Sequence, residues 1–378
     1  MNLVEFVPPT QHPLWDLCPQ MGITDVIVKV NPDLTGLPDP WRYETLSAIV
    51  LRLKSAGLNV VGLEGDPFDM SPIKEHGAGG LFNAESQSRR EGVLSHYREL
   101  LESMGRLGIR LLCYNFMVGK GWSRTGVREG RGGAKATYFS LAEAEKEMSA
   151  DLRHRTSGAE VGSLKSEALI LSADQVWANY EYFIKAVMPT AEKCGVRMGL
   201  HPDDPCLPSL GGYARIFGSI ESYDRAYAIY PSPSNAVTFC QANFKLMLGN
   251  SWSEKLEFEK GSEISLSNSN SKLQLNALAD AARHFGKRIA FIHVRDVEGD
   301  KTDFTELFHD QGDIDQFAMM RTYREIGLDV PVRGDHVPEM AYDRVLTPEG
   351  TPGYFTLGRL FANGYLKALL QGTENSSR

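Results

Sequence analysis

The 378-residue chain reads as an α/β protein, a (β/α)8 TIM barrel, on three observations. First, a helix-stopping glycine stands ahead of a short apolar run six times: Gly22 before 26–30, Gly57 before 60–63, Gly108 before 111–114, Gly195 before 198–200, Gly286 before 289–292 and Gly327 before 330–332. A glycine ends a helix in the left-handed conformation and the chain then turns into a strand, which is the junction of a parallel βα array. Second, the runs 3–7 and 236–239 bring the strands to eight, the number that closes a barrel. Third, the intervening segments 44–56, 93–107, 175–194, 273–285, 313–326 and 357–370 carry apolar residues at helical spacing.

An open doubly wound sheet is the alternative. It favours a glycine-rich phosphate loop after its first strand, whereas Pro8-Pro9-Thr10 stands there, so no nucleotide cofactor is expected. Two segments depart from the barrel rhythm and read as insertions after the fourth and sixth strands. Residues 123–174 open with a glycine- and arginine-rich loop at 126–133, and residues 248–271 are polar, with low complexity at 265–271. A substrate lid is one reading of the first; a surface or oligomer-contact excursion suits either. The expected organisation is one domain over 1–371 and a disordered tail at 372–378.

Composition narrows the partners. There are 48 acidic and 40 basic side chains, a net charge of −8, and no dense basic run interleaved with aromatics, which argues against nucleic acid. No apolar stretch reaches the length of a membrane span. The start, MNLVEFVPPT, lacks the features of a signal peptide. Five cysteines at irregular spacing do not suggest a disulfide framework, so a cytoplasmic setting is expected.

The chemistry concentrates at four strand ends. His201 follows the run 197–200, Cys240 follows 236–239, His293 follows 289–292 and Asp335 comes shortly after 330–332. In a parallel barrel the C-terminal strand ends share one rim, so these side chains surface together as a divalent-metal site. Singly, each has a plainer reading: a core histidine, a buried cysteine, a helix-capping aspartate. Their succession at neighbouring strand ends favours the metal. No Cys-x-x-Cys pair suggests a closed structural zinc site, and an open coordination position suits Lewis-acid catalysis. By softness alone zinc, Fe(II) and Mn(II) all suit this donor set.

Neighbouring residues extend the site. Asp203 and Asp204 follow His201 and either support that ligand or form a turn. Arg295 and Arg333 stand two residues from a ligand, as carboxylate clamps or as structural ion pairs. His309 and Asp313 follow the seventh strand and support the rim. His336 adjoins Asp335 and can exchange protons near neutral pH. Tyr354 sits in a Pro-Gly-Tyr turn that aims a phenol inward or packs it.

Several segments carry a resemblance over most of the chain. They include Cys113-Tyr-Asn-Phe-Met117, Trp122-Ser-Arg-Thr125, Val196-Arg-Met-Gly-Leu-His-Pro-Asp-Asp-Pro205, Arg215-Ile216, Thr238-Phe-Cys240 and His293-Val-Arg295. Gly312-Asp-Ile-Asp315, Arg333-Gly-Asp-His336 and Pro352-Gly-Tyr354 complete the set. The sequence resembles the metal-dependent D-mannonate dehydratases, lyases of hexuronate catabolism on a xylose-isomerase-like TIM barrel. The resemblance implies conversion of D-mannonate to 2-keto-3-deoxy-D-gluconate and water. It implies Mn(II) or Fe(II) on His201, Cys240, His293 and Asp335, and proton transfers by His336 and Tyr354. Asn115, Arg124, Arg295, Arg333, Asp203 and His309 become the expected contacts to a sugar acid, and a homodimer is the expected assembly.

The sequence departs from the family at Lys29-Val-Asn31, where paired histidines are usual, at Gln241-Ala-Asn-Phe244, in place of Gly-Ser-Tyr-Gly, and at Val337, in place of glycine. These departures keep two alternatives open: a metal-dependent sugar isomerase or epimerase on the same barrel, and a non-catalytic sugar-acid binding homologue.

Overall fold

The computed structural model describes residues 1–30, 39–78, 83–119, 121–155, 170–249 and 269–375. Its centre is a closed ring of parallel strands. After the first, which is split in two, come Asp25–Val28, Asn59–Glu64, Leu111–Tyr114, Arg197–Leu200, Asn235–Cys240, Ile289–Val294 and Pro331–Gly334, each hydrogen-bonded to the next. The first strand closes the ring. Its half Asn2–Leu3 pairs with Pro331–Gly334, and its half Glu5–Val7 pairs with Asp25–Val28. Between the halves, the Val4 N–H donates to the Val332 carbonyl at 2.9 Å. All six punctuating glycines take positive φ, from 52° to 80°.

Strand alternation sorts the side chains. One set fills the floor of the barrel with Val4, Ile27, Leu111, Cys113, Ala236 and Phe291. The other set, including Val28, Leu112, Met198, Phe239, Ile292 and Val332, packs outward against the helices. The inward set continues toward the C-terminal rim two residues at a time. Ile27 leads to Lys29, Cys113 to Asn115, Ala236 through Thr238 to Cys240, and Phe291 through His293 to Arg295. The predicted ligands thus stand on the inner face because of a period of two.

All six predicted helices appear, with shifted ends: Tyr43–Ser55, Ala84–Leu107, Ala173–Cys194, Ser269–Phe285, Gln316–Glu325 and Thr356–Asn375. The last runs to Asn375, into the stretch expected as a disordered tail, because its apolar side keeps packing through Leu366 and Leu370. Sequence reading passed over Pro13–Gln20, Leu141–Arg155, Ile220–Ile229 and Gln241–Leu248. Parts of both expected insertions, 156–169 and 250–268, lie outside the described residues.

The segment after the fourth strand is more than a surface excursion. Its strands Gly126–Glu129 and Lys135–Ser140 join Val297–Asp300 and Asp303–Glu306, from beyond the seventh strand, in a four-stranded antiparallel sheet. A small core that includes Phe139, Phe304, Cys206, Leu207 and Leu246 backs this sheet. Among the described residues no helix is long and apolar enough to cross a membrane.

Candidate metal centre

His201, Cys240, His293 and Asp335 lie at or within one residue of the ends of four successive barrel strands, and one donor atom from each lies within 4.8 Å of all the others. Each donor is prepared by its surroundings. The Nδ1 of His201 is 2.8 Å from the Pro202 carbonyl, so it carries the proton and leaves Nε2 as a ligand atom. His293 is buried, and neither ring nitrogen has a hydrogen-bond partner. A buried polar atom left unpaired costs about 1–3 kcal/mol, and coordination removes that cost. Burial pushes the Cys240 thiol up, but contacts with His201 and His293 and the charge of Arg295 bring it down to about 6. The residue therefore offers a thiolate near neutral pH. Burial also opposes ionisation of Asp335, and His336, Arg333 and His293 hold its carboxyl well below the usual range. Two imidazoles, a thiolate and a carboxylate fit a divalent cation with coordination positions to spare.

Glu64, Cys113 and His293 form an adjoining cluster. Burial works against ionisation of Glu64, yet Arg333 and His293 hold it down to about 2. Both its oxygens accept from Arg333, at 2.6 and 3.1 Å. Burial raises the Cys113 thiol. With a guanidinium in contact and a neutral thiol, this group suits support of His293 rather than a second cation. Sequence reading ended the third strand at Leu63 and so missed Glu64, although the strand-end rule that picked out the four candidate ligands applies to it equally.

The arginines are where expectation and structure part. Arg295 is fully buried and donates to Glu306 at 2.8 and 2.7 Å, to Asp204 at 2.9 Å and to Asn243 at 2.5 Å. Arg124 grips Asp204 at 2.8 and 2.9 Å and reaches Glu306 at 2.8 Å. Arg333 is committed to Glu64 and Asp335. None of the three lines the cavity. Guanidinium groups matched this closely to buried carboxylates have no donor to spare for a substrate, so the ion-pair reading describes them better than the clamp. Asp203 and His309 are also off the cavity wall. Asp203 accepts from the Phe217 N–H at 2.8 Å, and His309 Nε2 donates to the Val294 carbonyl at 2.8 Å.

His336 and Tyr354 do come together. The His336 Nε2 is 2.9 Å from the Tyr354 hydroxyl, and its Nδ1 is 3.0 Å from Glu306 Oε1. Burial opposes the charge on Glu306, but Arg295, His336 and Arg124 hold its carboxyl down to about 2. An ionised Glu306 accepts from Nδ1–H, which makes Nε2 the acceptor for the phenol. Burial and the charge of Asp335 keep the Tyr354 phenol protonated. The Tyr354 hydroxyl is also 3.5 Å from Asp335 Oδ1, so the pair sits beside the ligand set. Glu306 escaped sequence reading because it reaches the rim on the small sheet, at the end of a strand whose other residues pair with residues 138–140, far away in the chain.

These groups surround a cavity of about 480 Å³ that opens at the C-terminal rim. Asn115, His336, Tyr354, His201 and Asp335 line it, joined by Lys29, His12 and Glu64, which the sequence did not single out as site residues. Asn115 Oδ1 accepts from Lys74 at 3.0 Å and from the Met117 N–H at 3.1 Å, leaving its amide N–H groups for the cavity.

Curated mannonate dehydratases from Brachyspira hyodysenteriae and Streptococcus equi subsp. zooepidemicus are 27% and 26% identical, over 94% and 87% of this chain and 93% and 83% of theirs. The crystal structure of mannonate dehydratase from Streptococcus suis serotype 2 superposes with a TM-score of 0.74 at 24% identity, covering 100% of this chain and 96% of that one. A D-tagatose 3-epimerase-like protein shares the barrel at a TM-score of 0.55 and 11% identity, with both chains fully covered. The xylose-isomerase-like TIM barrel is therefore the fold. The family model for D-mannonate dehydratase (UxuA) matches residues 19–260 and 255–378, and the chain belongs to this family of hydro-lyases.

Proposed function

We propose that this protein removes water from a sugar acid, with D-mannonate the first candidate and 2-keto-3-deoxy-D-gluconate the product. The observation that carries the reading is the hydrogen-bonded pair of His336 and Tyr354 next to four convergent metal donors. A divalent cation held by His201, Cys240, His293 and Asp335, Mn(II) or Fe(II) in this reading, supplies positive charge that stabilises the negative charge developing as the C2 proton leaves.

The chain's own groups account for both protons. His336 Nε2 takes the proton from C2. The Tyr354 hydroxyl protonates the 3-hydroxyl as the C3–O bond breaks, and water departs. The proton on Nε2 returns to the phenolate across their 2.9 Å contact. The enol left behind tautomerises to the 2-keto-3-deoxy acid. Glu306 holds the imidazole in the tautomer this requires. Asn115 orients hydroxyls. The same reading takes a sugar acid as the small-molecule partner, a homodimer as the assembly and the cytoplasm as the compartment.

The test is an anaerobic screen of aldonic and uronic acids with Mn(II), Fe(II), Co(II) and Zn(II). Anaerobic handling protects the thiolate and ferrous iron. The expected product reacts with periodate and thiobarbiturate, whereas an epimer does not. His336→Ala is expected to cost ~10²–10⁴-fold in turnover with a smaller change in substrate binding. Near wild-type turnover by that variant would overturn the assignment of the base.

A further inference from the structure

The cations around the cavity are not alike. Arg359 reaches its wall but is paired with the buried Glu5. Arg124, Arg295 and Arg333 are bound to carboxylates and stand off the wall. Lys29 differs. It continues the inward face of the second strand two residues beyond Ile27, is half-buried and lines the cavity. Its stem passes beside Gly65, where a Cβ would meet Cε at 3.8 Å. Among the described residues it is the one cavity-lining cation with no acid paired to it.

Other donors share this side of the cavity. His12 Nδ1 accepts from the Leu14 N–H at 3.2 Å, which leaves the ring proton on Nε2. Burial and the nearby Arg359 lower that imidazole to about 4, so it is neutral at physiological pH. The amide N–H groups of Asn115 complete the set. The rest of the wall carries carboxylates, Glu64, Asp335 and Glu349 among them, which repel an incoming anion.

We infer that Lys29 binds the carboxylate of the sugar acid and sets the preference of this site for acids over neutral sugars. The inference rests on the dehydratase reading above and deepens it by naming the residue that recognises the substrate's charge. Lys29 acts in recognition, so its loss falls on affinity and KM more than on turnover.

The experiment is calorimetric titration of the Mn(II)-loaded protein, kept anaerobic, with D-mannonate, D-gluconate and the neutral alditols D-mannitol and D-glucitol. Steady-state rates on D-mannonate accompany it. Lys29→Met is expected to weaken both acids about 10- to 100-fold, the range for losing a hydrogen bond to a charged group, and to leave the alditols unchanged. Lys29→Arg is expected to recover most of the affinity, and added salt to narrow the gap between wild type and Lys29→Met. Lys29→Gln, which keeps a polar stem, serves if the methionine variant does not fold.

Acid affinity unchanged in the neutral variants overturns the inference, and so does an equal loss for acids and alditols. If D-mannonate is still dehydrated in either case, the dehydratase reading stands alone. Wild-type protein that binds the acids through Lys29 without turning them over refutes the dehydratase reading and keeps the inference. Wild-type protein that binds no acid removes both.

Discussion

The two arcs of the barrel rim treat their polar groups in opposite ways. On the arc of strands five to eight, donors and acceptors are already spent: Arg295 on Glu306 and Asp204, which also hold Arg124 from the loop after the fourth strand, and Arg333 on Asp335 and on Glu64 at the end of the third strand. On the arc of strands one to four, Lys29, His12 and Asn115 present donors to the cavity. Under the proposed function the difference separates two tasks. Groups that hold a cation and move protons need fixed positions, and buried ion pairs fix them. Groups that recognise a substrate need unspent hydrogen-bonding capacity.

Breaking the locked arc should have the largest effects. Cys240→Ala removes one of four donors and leaves the other three in place. Affinity for Mn(II) or Fe(II) is expected to fall by more than the 10- to 100-fold typical of losing a residue that merely supports a ligand. Metal content after dialysis reads this, and full retention would remove Cys240 from the ligand set.

Glu306→Gln comes next, because it leaves two buried guanidinium groups short of a charge. Breaking such a pair costs about 3–5 kcal/mol, visible as a lowered melting temperature. The acid limb provides a second readout. The folded carboxyl lies at about 2, below its ordinary value, so its stabilising effect is complete above the ordinary carboxylate range and is lost as pH falls toward about 2. Glu306→Gln is expected to flatten that part of the stability–pH curve. A variant as stable as wild type would mean that the arc is not locked by these pairs.

Asn115→Ala probes the open arc and should do least. Its fold is expected to be unperturbed, with affinity for a sugar acid reduced about 5- to 10-fold, the weight of one hydrogen bond. A large loss of stability instead would make Asn115 a structural anchor through Lys74 and Met117, and would blur the contrast between the arcs.

The same contrast explains what the sequence could tell. The eight strands were legible because each is short, apolar and marked off by a glycine or a turn. The four convergent donors, the candidate ligands, were legible because a strand end is a local feature, and parallel topology turns local ends into one rim. The fate of the arginines was not. Whether Arg295 meets a substrate or a carboxylate depends on Glu306, and Glu306 is positioned by Asp303–Glu306 pairing with Lys135–Ser140. Pairing between segments so distant leaves no periodic trace. Lys29 was visible only as a departure from the family, because an unspent cation is defined by the partners it lacks.

The four-stranded sheet also bears on how this scaffold can be recombined. Its halves come from loops some 160 residues apart, yet Phe139 pairs with Phe304 and Tyr138 with Thr305, one residue from the carboxylate that steadies His336. A chimera that imports one loop without the other would leave an unmatched β-edge and a misdirected imidazole. The two loops form a single exchangeable module, and they should be grafted, shuffled or shortened as a pair.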